Sequence, residues 1–368
     1  MEKVRVGIIG CGNISGIYFK NTQKLEILDV IAAADLIPER VDSKAAEYSI
    51  PNVYYSGKEL LTNPDIELVI NLTTPPDHAK VCLETLQAGK HVYVEKPLAA
   101  KREDAQKVLE FAKSRGLLVG GAPDTFMGAG IQTCRKLIDE GWIGTPIAAT
   151  AFMMGHGHES WHPDPEFYYK VGGGPMFDMG PYYLTALINL LGPIKRVSGS
   201  ARISFPERTI TSEPKFGTKI DVEVPTHIAG VMDFASGAVG TIITSFDVWA
   251  ANVPRIEIYG SEGTLSVPDP NTFGGPVRVR RAGVKEWTEM PLTHGFATNS
   301  RGIGPADMAY AIRSGRAHRA NSDLTYHVLE VMHGFHDASR DGKYYELASS
   351  CARPSALPMV LLPNALDE

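Results

Sequence analysis

The sequence predicts an α/β protein in which an N-terminal doubly wound parallel sheet precedes a C-terminal α+β domain built on a large, mostly antiparallel open sheet. Up to about residue 124, short apolar runs alternate with helix-compatible stretches, which is typical of parallel strands covered by helices. From Ile194 to about Met290 the pattern changes to strands separated by turns. The length of 368 residues also exceeds one ordinary core. We therefore predict a first domain over residues 1–124, a second over 125–342 and a tail over 343–368.

The predicted elements follow from apolar periodicity and from the glycines that end the helices. In the first domain the strands are Val4–Ile9, Ile27–Ala34, Leu68–Leu72, His91–Val94 and Leu117–Gly121, and the helices are Asp77–Ala88 and Glu103–Arg115. In the second domain the strands are Val197–Phe205, His227–Phe234, Ala238–Phe246 and Arg255–Tyr259, and the helices are Ile131–Glu140, Met176–Leu191, Ala306–Ser314 and Leu324–Ser339.

Charge and cysteine content restrict the classes of partner. The net charge of −6, from 36 basic and 42 acidic residues, argues against nucleic acid or an anionic membrane surface as partners. No apolar run reaches membrane-spanning length, and the start lacks the features of a signal peptide. The four cysteines are scattered, with neither metal-binding spacing nor disulfide density. We therefore expect reduced thiols in a cytoplasmic protein.

A glycine turn after the first strand is typical of a dinucleotide site in a Rossmann domain. Gly10 allows the tight turn, and Gly12 lets the backbone approach a pyrophosphate. The amides near Asn13 and Ile14, where a helix begins, would face the negative charge. Ser15 stands at the third motif position and is small enough for helix–strand packing.

An acid at the end of the second strand supports this interpretation. Asp35 follows Gly12 at about the spacing, roughly 20 residues, of a ribose-binding carboxylate. An aspartate there favours NAD and repels the 2′-phosphate of NADP, although Arg40 keeps NADP possible. The alternative is that the glycines serve only a turn and that Asp35 caps the next helix.

Two further segments would line the same crevice, because ligands bind beyond the carboxyl ends of parallel strands. Thr73, Thr74 and Pro75 follow one strand and are predicted to contact the nicotinamide ribose. His78 opens the next helix, either on the cofactor side or as a surface or capping residue.

Glu95-Lys96-Pro97 ends another strand of this sheet. Oxidation of an alcohol needs a base for the hydroxyl proton, and the reverse reaction needs an acid at the same oxygen. Lys96 suits this role if burial lowers its pKa and the Glu95 carboxylate holds it in place. Glu95 and Lys96 are also predicted to contact the cofactor. A solitary lysine is usually a solvated charge, but this motif at a sheet edge is more specific.

A glycine-rich stretch over residues 172–183 carries a second group of candidates. Asp178 and Tyr182 are four residues apart, so on one helix they would share a face and could act with Lys96 on a substrate hydroxyl. Gly180-Pro181 would kink that helix or delay its start. The alternative makes Asp178 a helix N-terminal charge and Tyr182 a packing residue.

Together these motifs resemble the Gfo/Idh/MocA oxidoreductases, the glucose–fructose oxidoreductase and inositol dehydrogenase family. The resemblance implies that Lys96 and Asp178 are catalytic and that the C-terminal sheet mediates oligomer contacts. It also implies sugar-like substrates. The next functional position is histidine in the polyol dehydrogenases and tyrosine in the glucose–fructose and dihydrodiol branches, and here it is Tyr182. Three residues further on, the family often has an acidic residue, and this sequence has Thr185. These two departures argue against inositol itself as the substrate.

The loop over residues 155–163 is rich in histidine. His156, His158, Glu159 and His162 could bind a metal, but hydride transfer to a nicotinamide needs none, and we predict no metal site. We expect a substrate loop in which Trp161 stacks on a sugar and His162 bonds to its hydroxyls, with Asp124 also contacting substrate. Alternatively, Trp161 packs between domains.

The sequence therefore predicts an NAD(P)-dependent dehydrogenase or reductase acting on a small carbohydrate-like molecule: a sugar, sugar acid or cyclic polyol. A homo-oligomer, dimer or tetramer, is expected through the C-terminal sheet. Two alternatives remain open, a glycosidase that uses NAD transiently and a sugar sensor that binds NAD without chemistry.

Overall fold

The computed structural model of the protein describes residues 1–359 and 366; the rest of the predicted tail, 360–365 and 367–368, lies outside them. The chain forms two compact units that alternate along the sequence. The first comprises Met1–Gln132, Thr293–Tyr326 and the described part of the segment that starts at Pro354, and the second comprises Thr133–Leu292 and His327–Arg353. The predicted domain bounds are contiguous, unlike these units, and stay a prediction.

A six-stranded parallel sheet forms the first unit, in the order β3-β2-β1-β4-β5-β6 of a doubly wound fold. Its strands are β1 Val4–Ile9, β2 Leu28–Ala34, β3 Asn52–Tyr54, β4 Leu68–Asn71, β5 His91–Val94 and β6 Val119–Gly121. The helices are α1 Ser15–Thr22, α2 Pro38–Tyr48, α3 Gly57–Leu61, α4 His78–Gln87, α5 Arg102–Arg115 and, after the second-unit elements, α9 Ile303–Ser314. Helix α6, Ala129–Asp139, follows β6 in the chain.

The register of this sheet aligns the strand ends. Ile9 pairs with both Ala34 and Asn71, and Asn71 pairs with Val94. The segments that begin at Gly10, Asp35, Leu72 and Glu95 therefore leave the sheet at one edge. Strand β1 lies between β2 and β4, and Val4, Val6 and Ile8 are fully buried, as expected for a central parallel strand.

The second unit is built on a nine-stranded sheet in which only β7 and β12 pair in parallel. The order is β16-β15-β14-β13-β7-β12-β11-β8-β17. The strands are β7 Pro146–Met154, β8 Ile194–Arg202, β11 His227–Phe234, β12 Val239–Ser245, β13 Ile256–Gly260, β14 Gly263–Val267, β15 Val277–Arg281, β16 Thr288–Met290 and β17 Tyr345–Glu346, and β9 Glu207–Thr209 with β10 Lys219–Asp221 form a separate two-stranded sheet.

The predicted helix over residues 176–191 is two helices in the structure. Helix α7 is Gly174–Asp178 and α8 is Gly180–Leu191, with Met179 between them at φ −112°. Every residue of α8 is buried. The long helix α10 is Ser322–Asp341. Both sheets confirm the predicted fold class. Within the part of the chain that the structure describes, no helix combines the length and apolar character needed to cross a bilayer.

Candidate active site

The glycine turn after β1 has the geometry that a pyrophosphate cradle requires. Gly10 has φ +102°, and a Cβ there would lie 2.7 Å from the carbonyl carbon of Leu72, so no larger residue fits. A Cβ on Gly12 would meet nothing within 4 Å, so its backbone faces open space. Asn13 and Ile14 are exposed, and helix α1 begins one residue later, at Ser15. The residues whose amides are predicted to face a pyrophosphate therefore precede the helix and are exposed.

The Asp35 carboxylate is fixed beside this turn. Its Oδ2 accepts a hydrogen bond from the Cys11 amide at 2.7 Å, and its Oδ1 accepts one from the Ile37 amide at 2.9 Å. Burial, together with the Asp35 charge, raises the pKa of the Cys11 thiol to about 12. Ile37 is the N-cap residue of α2, so Asp35 also bonds to the start of that helix, as the capping alternative expects. Arg40 is exposed.

His78 joins two loops at the edge of the sheet. Its Nδ1 lies 2.7 Å from the carbonyl oxygen of Pro97, and its Nε2 lies 2.9 Å from that of Thr73. The ring is fully buried, and this burial lowers the pKa of His78 against the two carbonyls, which raise it. This arrangement argues against the predicted direct contact with a cofactor. His78 instead fixes the backbone of the Thr73 loop and of the segment after Lys96.

The loop that His78 supports carries the other predicted ribose contacts. Thr73 donates its hydroxyl to Asn71 Oδ1 at 2.7 Å and is half-buried. Thr74 is exposed and donates to Asp77 Oδ2 at 2.8 Å, and Pro75 begins a short 3₁₀ turn. These residues leave the same sheet edge as the glycine turn, so both segments lie where a dinucleotide binds in this fold.

Glu95 links the first helix to the candidate lysine. The Tyr18 hydroxyl, on α1, donates to Glu95 Oε1 at 2.7 Å, and the Lys96 amide donates to Glu95 Oε2 at 2.9 Å. The Glu95 side chain is buried, whereas Lys96 is half-buried at the carboxyl end of β5. Glu95 therefore acts on the backbone at Lys96 and on α1, and both oxygens of its buried carboxylate already accept a hydrogen bond, which argues against the predicted contact with the cofactor.

Asp124 has a different environment from the one predicted. It is 1% exposed, and its Oδ2 accepts bonds from the amides of Gly302 (2.8 Å) and Gly304 (3.0 Å) at the start of α9. Burial raises the pKa of Asp124 to about 6, against these two bonds, which lower it. The carboxylate therefore serves the first turn of α9, and its burial argues against contact with a substrate.

In the second unit, Asp178 ends α7 and Tyr182 lies in the first turn of α8. Met179, between the two helices, keeps α-helical backbone angles, and its amide donates to the Pro175 carbonyl at 3.1 Å. The common face expected for Asp178 and Tyr182 stays a prediction. The Nε2 atom of His158 lies 3.3 Å from Asp178 Oδ2, and both side chains are 11% exposed. His158, which was not predicted as a site residue, is thus the histidine of the loop that reaches Asp178. The signal available in the sequence was only its place in a histidine-rich loop.

The rest of that loop is held by buried charges. The Glu159 carboxylate pairs with Arg208 at 3.0 Å and accepts the Tyr169 hydroxyl at 2.6 Å. Arg208 also pairs with Asp247 and donates to the Phe246 carbonyl at 2.8 Å. These bonds fix the backbone of the loop. Within residues 1–359 and 366, no group of three or more His, Cys, Asp or Glu side chains could hold a metal ion.

Two predicted substrate residues lie on the accessible side of this loop. Trp161 is 62% exposed, and its ring meets that of His162 edge-on, with centroids 5.4 Å apart. His162 Nδ1 accepts a bond from the Asp164 amide at 3.0 Å, so its Nε2 is the nitrogen that can face a ligand. An exposed indole beside a fixed imidazole remains compatible with sugar stacking.

Comparison with known proteins identifies the family. The model for an oxidoreductase family with an NAD-binding Rossmann fold, GFO/IDH/MocA, matches residues 4–121, and its C-terminal domain model matches residues 131–266. Myo-inositol 2-dehydrogenase of Thermotoga maritima is 23% identical over 71% of this chain and 74% of its own length. Inositol 2-dehydrogenase 3 of Saccharopolyspora erythraea is 28% identical over 78% of this chain and 80% of its own length.

Solved structures share the fold. An NAD-binding oxidoreductase from Klebsiella pneumoniae superposes with a TM-score of 0.83 at 20% identity, and a levoglucosan dehydrogenase in complex with NADH superposes with 0.80 at 19%. Each alignment covers 95% of this chain and all of the other. The two domain matches confirm the resemblance seen in the sequence: the chain belongs to the GFO/IDH/MocA oxidoreductase family, and residues 4–121 are its NAD-binding Rossmann domain.

Proposed function

We propose that the protein oxidises or reduces one carbon of a sugar, sugar acid or cyclic polyol, with Lys96 and Tyr182 handling the proton and Asp178 binding the reacting hydroxyl. The bound nicotinamide, of NAD or NADP, would accept or supply the hydride. Support comes from the family and from the names of its members, which include inositol and levoglucosan dehydrogenases. The observation that carries the proposal is Lys96 at the same sheet edge as the glycine turn.

The residues of the first unit fit a dinucleotide. The open backbone at Gly12 and the exposed amides of Asn13 and Ile14 would hold the pyrophosphate. Asp35, already fixed by two backbone amides, would accept bonds from the adenosine ribose hydroxyls, which favours NAD over NADP. The Thr73 loop would support the other ribose.

The chain's own groups would divide the proton chemistry. In oxidation, the substrate hydroxyl loses its proton to a base, and in reduction the same oxygen takes a proton from an acid. The Lys96 amine and the Tyr182 hydroxyl are each able to give or take one proton. The Asp178 carboxylate would accept a hydrogen bond from the substrate, which orients the reacting carbon. The Trp161 ring would stack on the apolar face of the sugar, and His162 would bond to its hydroxyls.

The first test is Lys96→Ala, with Lys101→Ala as the control. Lys101 is an exposed lysine at the start of α5 in the same segment of chain. We expect Lys96→Ala to lower kcat by about 10²–10⁴, the usual contribution of a general acid or base, with NAD affinity nearly unchanged by calorimetry. The control should keep both. Full activity of Lys96→Ala on a substrate found by screening sugars, polyols and sugar acids would contradict the proposal.

The second test compares neighbouring tyrosines. Tyr182→Phe removes the proposed proton carrier, so we expect a fall in kcat of at least about tenfold. Tyr183→Phe removes a buried hydroxyl that donates to the Phe152 carbonyl at 3.3 Å, which should cost about 1 kcal/mol of stability and no activity. Equal activity of the two variants would exclude Tyr182 from the chemistry.

We also propose that the protein is cytoplasmic and forms a dimer or tetramer through the nine-stranded sheet. Light scattering of the purified protein tests the assembly. A charged substitution of Val231, partly exposed on β11, should dissociate the oligomer if the sheet face is the interface. A monomer in the unmodified protein would contradict this part of the proposal.

A further inference from the structure

His158 lies directly against the acid that the proposed function makes catalytic. Its Nε2 is 3.3 Å from Asp178 Oδ2, a separation at which one hydrogen bond between ring and carboxylate is the natural interaction. Both side chains are almost entirely buried, so the contact is shielded from bulk water. Carboxylate and imidazole come from different segments of the second unit, the end of α7 and the loop after β7.

Aromatic rings fix the orientation of the imidazole. The His158 ring stacks on Tyr168, with centroids 3.7 Å apart and planes 9° apart, and it meets Phe246 edge-on at 4.8 Å. Trp161 touches the same ring at 5.2 Å and 46°. With rings on these sides, the plane of the His158 ring is fixed beside Asp178.

The unused ring nitrogen indicates which tautomer is present. His158 Nδ1 is buried and has no hydrogen-bond partner within the described part of the chain. A buried N–H without an acceptor is costly, so the proton of a neutral ring belongs on Nε2, where the Asp178 carboxylate accepts it. The ring therefore donates to Asp178 and leaves a bare nitrogen among the aromatic rings.

Glu159, the residue after His158, holds the loop in place. Glu159 pairs with Arg208 at 3.0 Å, and its carbonyl accepts bonds from the amides of Thr211 and Ser212, each at 2.9 Å. Arg208 is held in turn by Asp247. The buried charges thus fix the backbone on which the His158 ring stands.

We propose that His158 is a positioning residue for the reaction, donating its Nε2–H to Asp178 Oδ2 so that the carboxylate is held in the orientation that the substrate requires. This inference rests on the proposed function and assigns a role to a residue outside the set predicted from the sequence. Misplacement of a reacting group by about 1 Å can cost about 10² in rate, so loss of this bond should appear in kcat.

Two substitutions separate hydrogen bonding from packing. His158→Phe keeps a ring to stack on Tyr168 but has no donor, whereas His158→Gln keeps an N–H near the Nε2 position and loses the ring. We expect His158→Phe to lower kcat about 10²-fold with KM and NAD affinity within about threefold. We expect His158→Gln to recover at least about tenfold of that loss. A purely structural role would give the reverse order.

His156→Phe is the matched control. His156 lies in the same loop and stacks on the exposed Trp249, with centroids 3.3 Å apart, so the substitution makes the same chemical change without touching Asp178. Melting temperatures of all three variants show whether they fold. Equal kcat for His158→Phe and the unmodified enzyme would overturn the role of His158 and leave the proposed function intact.

A second measurement does not depend on activity. With ring-¹⁵N-labelled histidine, the His158 signals, identified by their absence in His158→Gln, should show a protonated Nε2 and a bare Nδ1. Asp178→Asn should shift the Nε2 signal. A protonated Nδ1 with a bare Nε2, or no response to Asp178→Asn, would overturn the pairing. Failure of the unmodified protein to turn over any carbohydrate with NAD or NADP would instead overturn the proposed function.

Discussion

Removal of the buried Arg208 cation, which pairs with the histidine loop, should have a large effect on stability. Arg208 has a side chain only 6% exposed and neutralises two carboxylates, Glu159 and Asp247, that are nearly as buried. In Arg208→Met the aliphatic volume remains, but both carboxylates lose their cation. Breaking a buried pair in this way costs about 3–5 kcal/mol, and the lost charge-assisted bond to the Phe246 carbonyl adds about 1.5–3 kcal/mol.

We therefore expect Arg208→Met to lower the free energy of unfolding of the second unit by about 4 kcal/mol or more, a large part of a typical total of about 5–15 kcal/mol. Urea unfolding followed by tryptophan fluorescence measures this unit selectively, because Trp142, Trp161, Trp249 and Trp287 all belong to it. Adding Glu159→Gln and Asp247→Asn should recover at least about 2 kcal/mol, since no unpaired charge then remains.

Arg278→Met is the control for charge removal. Arg278 pairs with Glu289 at 3.4 Å, but the two side chains are 50% and 63% exposed, so the pair should contribute less than about 1 kcal/mol. If Arg208→Met costs no more than this control, or if the triple variant recovers nothing, the buried network does not hold the loop, and the reasoning from burial fails.

Three predictions concern the first unit. In Gly10→Ala the strained φ and the contact with the Leu72 carbonyl should weaken NAD binding at least about tenfold by calorimetry. His78→Leu removes the one N–H that a neutral ring donates to the Pro97 or the Thr73 carbonyl, so the melting temperature should fall with a loss of about 2 kcal/mol, and NAD affinity should fall with it. The pKa of Asp124 is raised from 3.8 to about 6, so the folded state binds this proton more tightly than the unfolded state does. As the pH rises from 4 to 6, the unmodified protein should therefore lose about 2–3 kcal/mol of unfolding free energy relative to Asp124→Asn.

Each of the three predictions has a control variant or a result that would contradict it. Gly89→Ala shares a positive φ but meets no atom within 4 Å, so it should cost about 1 kcal/mol of stability and leave NAD binding unchanged. Unaltered NAD affinity in His78→Leu would mean that the loops do not depend on the imidazole. A stability difference between native protein and Asp124→Asn that is constant from pH 4 to 7 would show that Asp124 does not titrate in that range.

Much of the first unit could be predicted from local patterns. Strands β1 and β5 have the predicted bounds: β1 ends at the glycine turn that begins with Gly10, and β5 ends at the polar segment Glu95-Lys96-Pro97. The three-residue edge strand β3 was not predicted, since Asn52–Tyr54 is too short to show a period. The register of β1, β4 and β5 follows from the doubly wound topology, which is why the glycine turn and Lys96 could be placed at one edge.

The details of the candidate site depended on contacts that no local pattern carries. His158 and not His162 reaches Asp178, because the loop is held by Arg208, about fifty residues later in the chain. The common face expected for Asp178 and Tyr182 stays a prediction, because the structure has two helices, α7 and α8, where the sequence predicted one. His78 and Asp124 look like surface ligands in sequence, yet their polar atoms are bonded to backbone groups of segments that only folding brings near. The catalytic roles of Lys96, Asp178 and Tyr182 stay predictions.

One carboxylate, that of Glu95, carries both the Tyr18 hydroxyl and the backbone of Lys96. Whatever shifts the first helix is therefore transmitted to the lysine by a path of two hydrogen bonds. Given the proposed role of Lys96, engineering of the glycine turn toward another coenzyme is expected to alter turnover as well as affinity. Coenzyme preference and turnover would therefore change together.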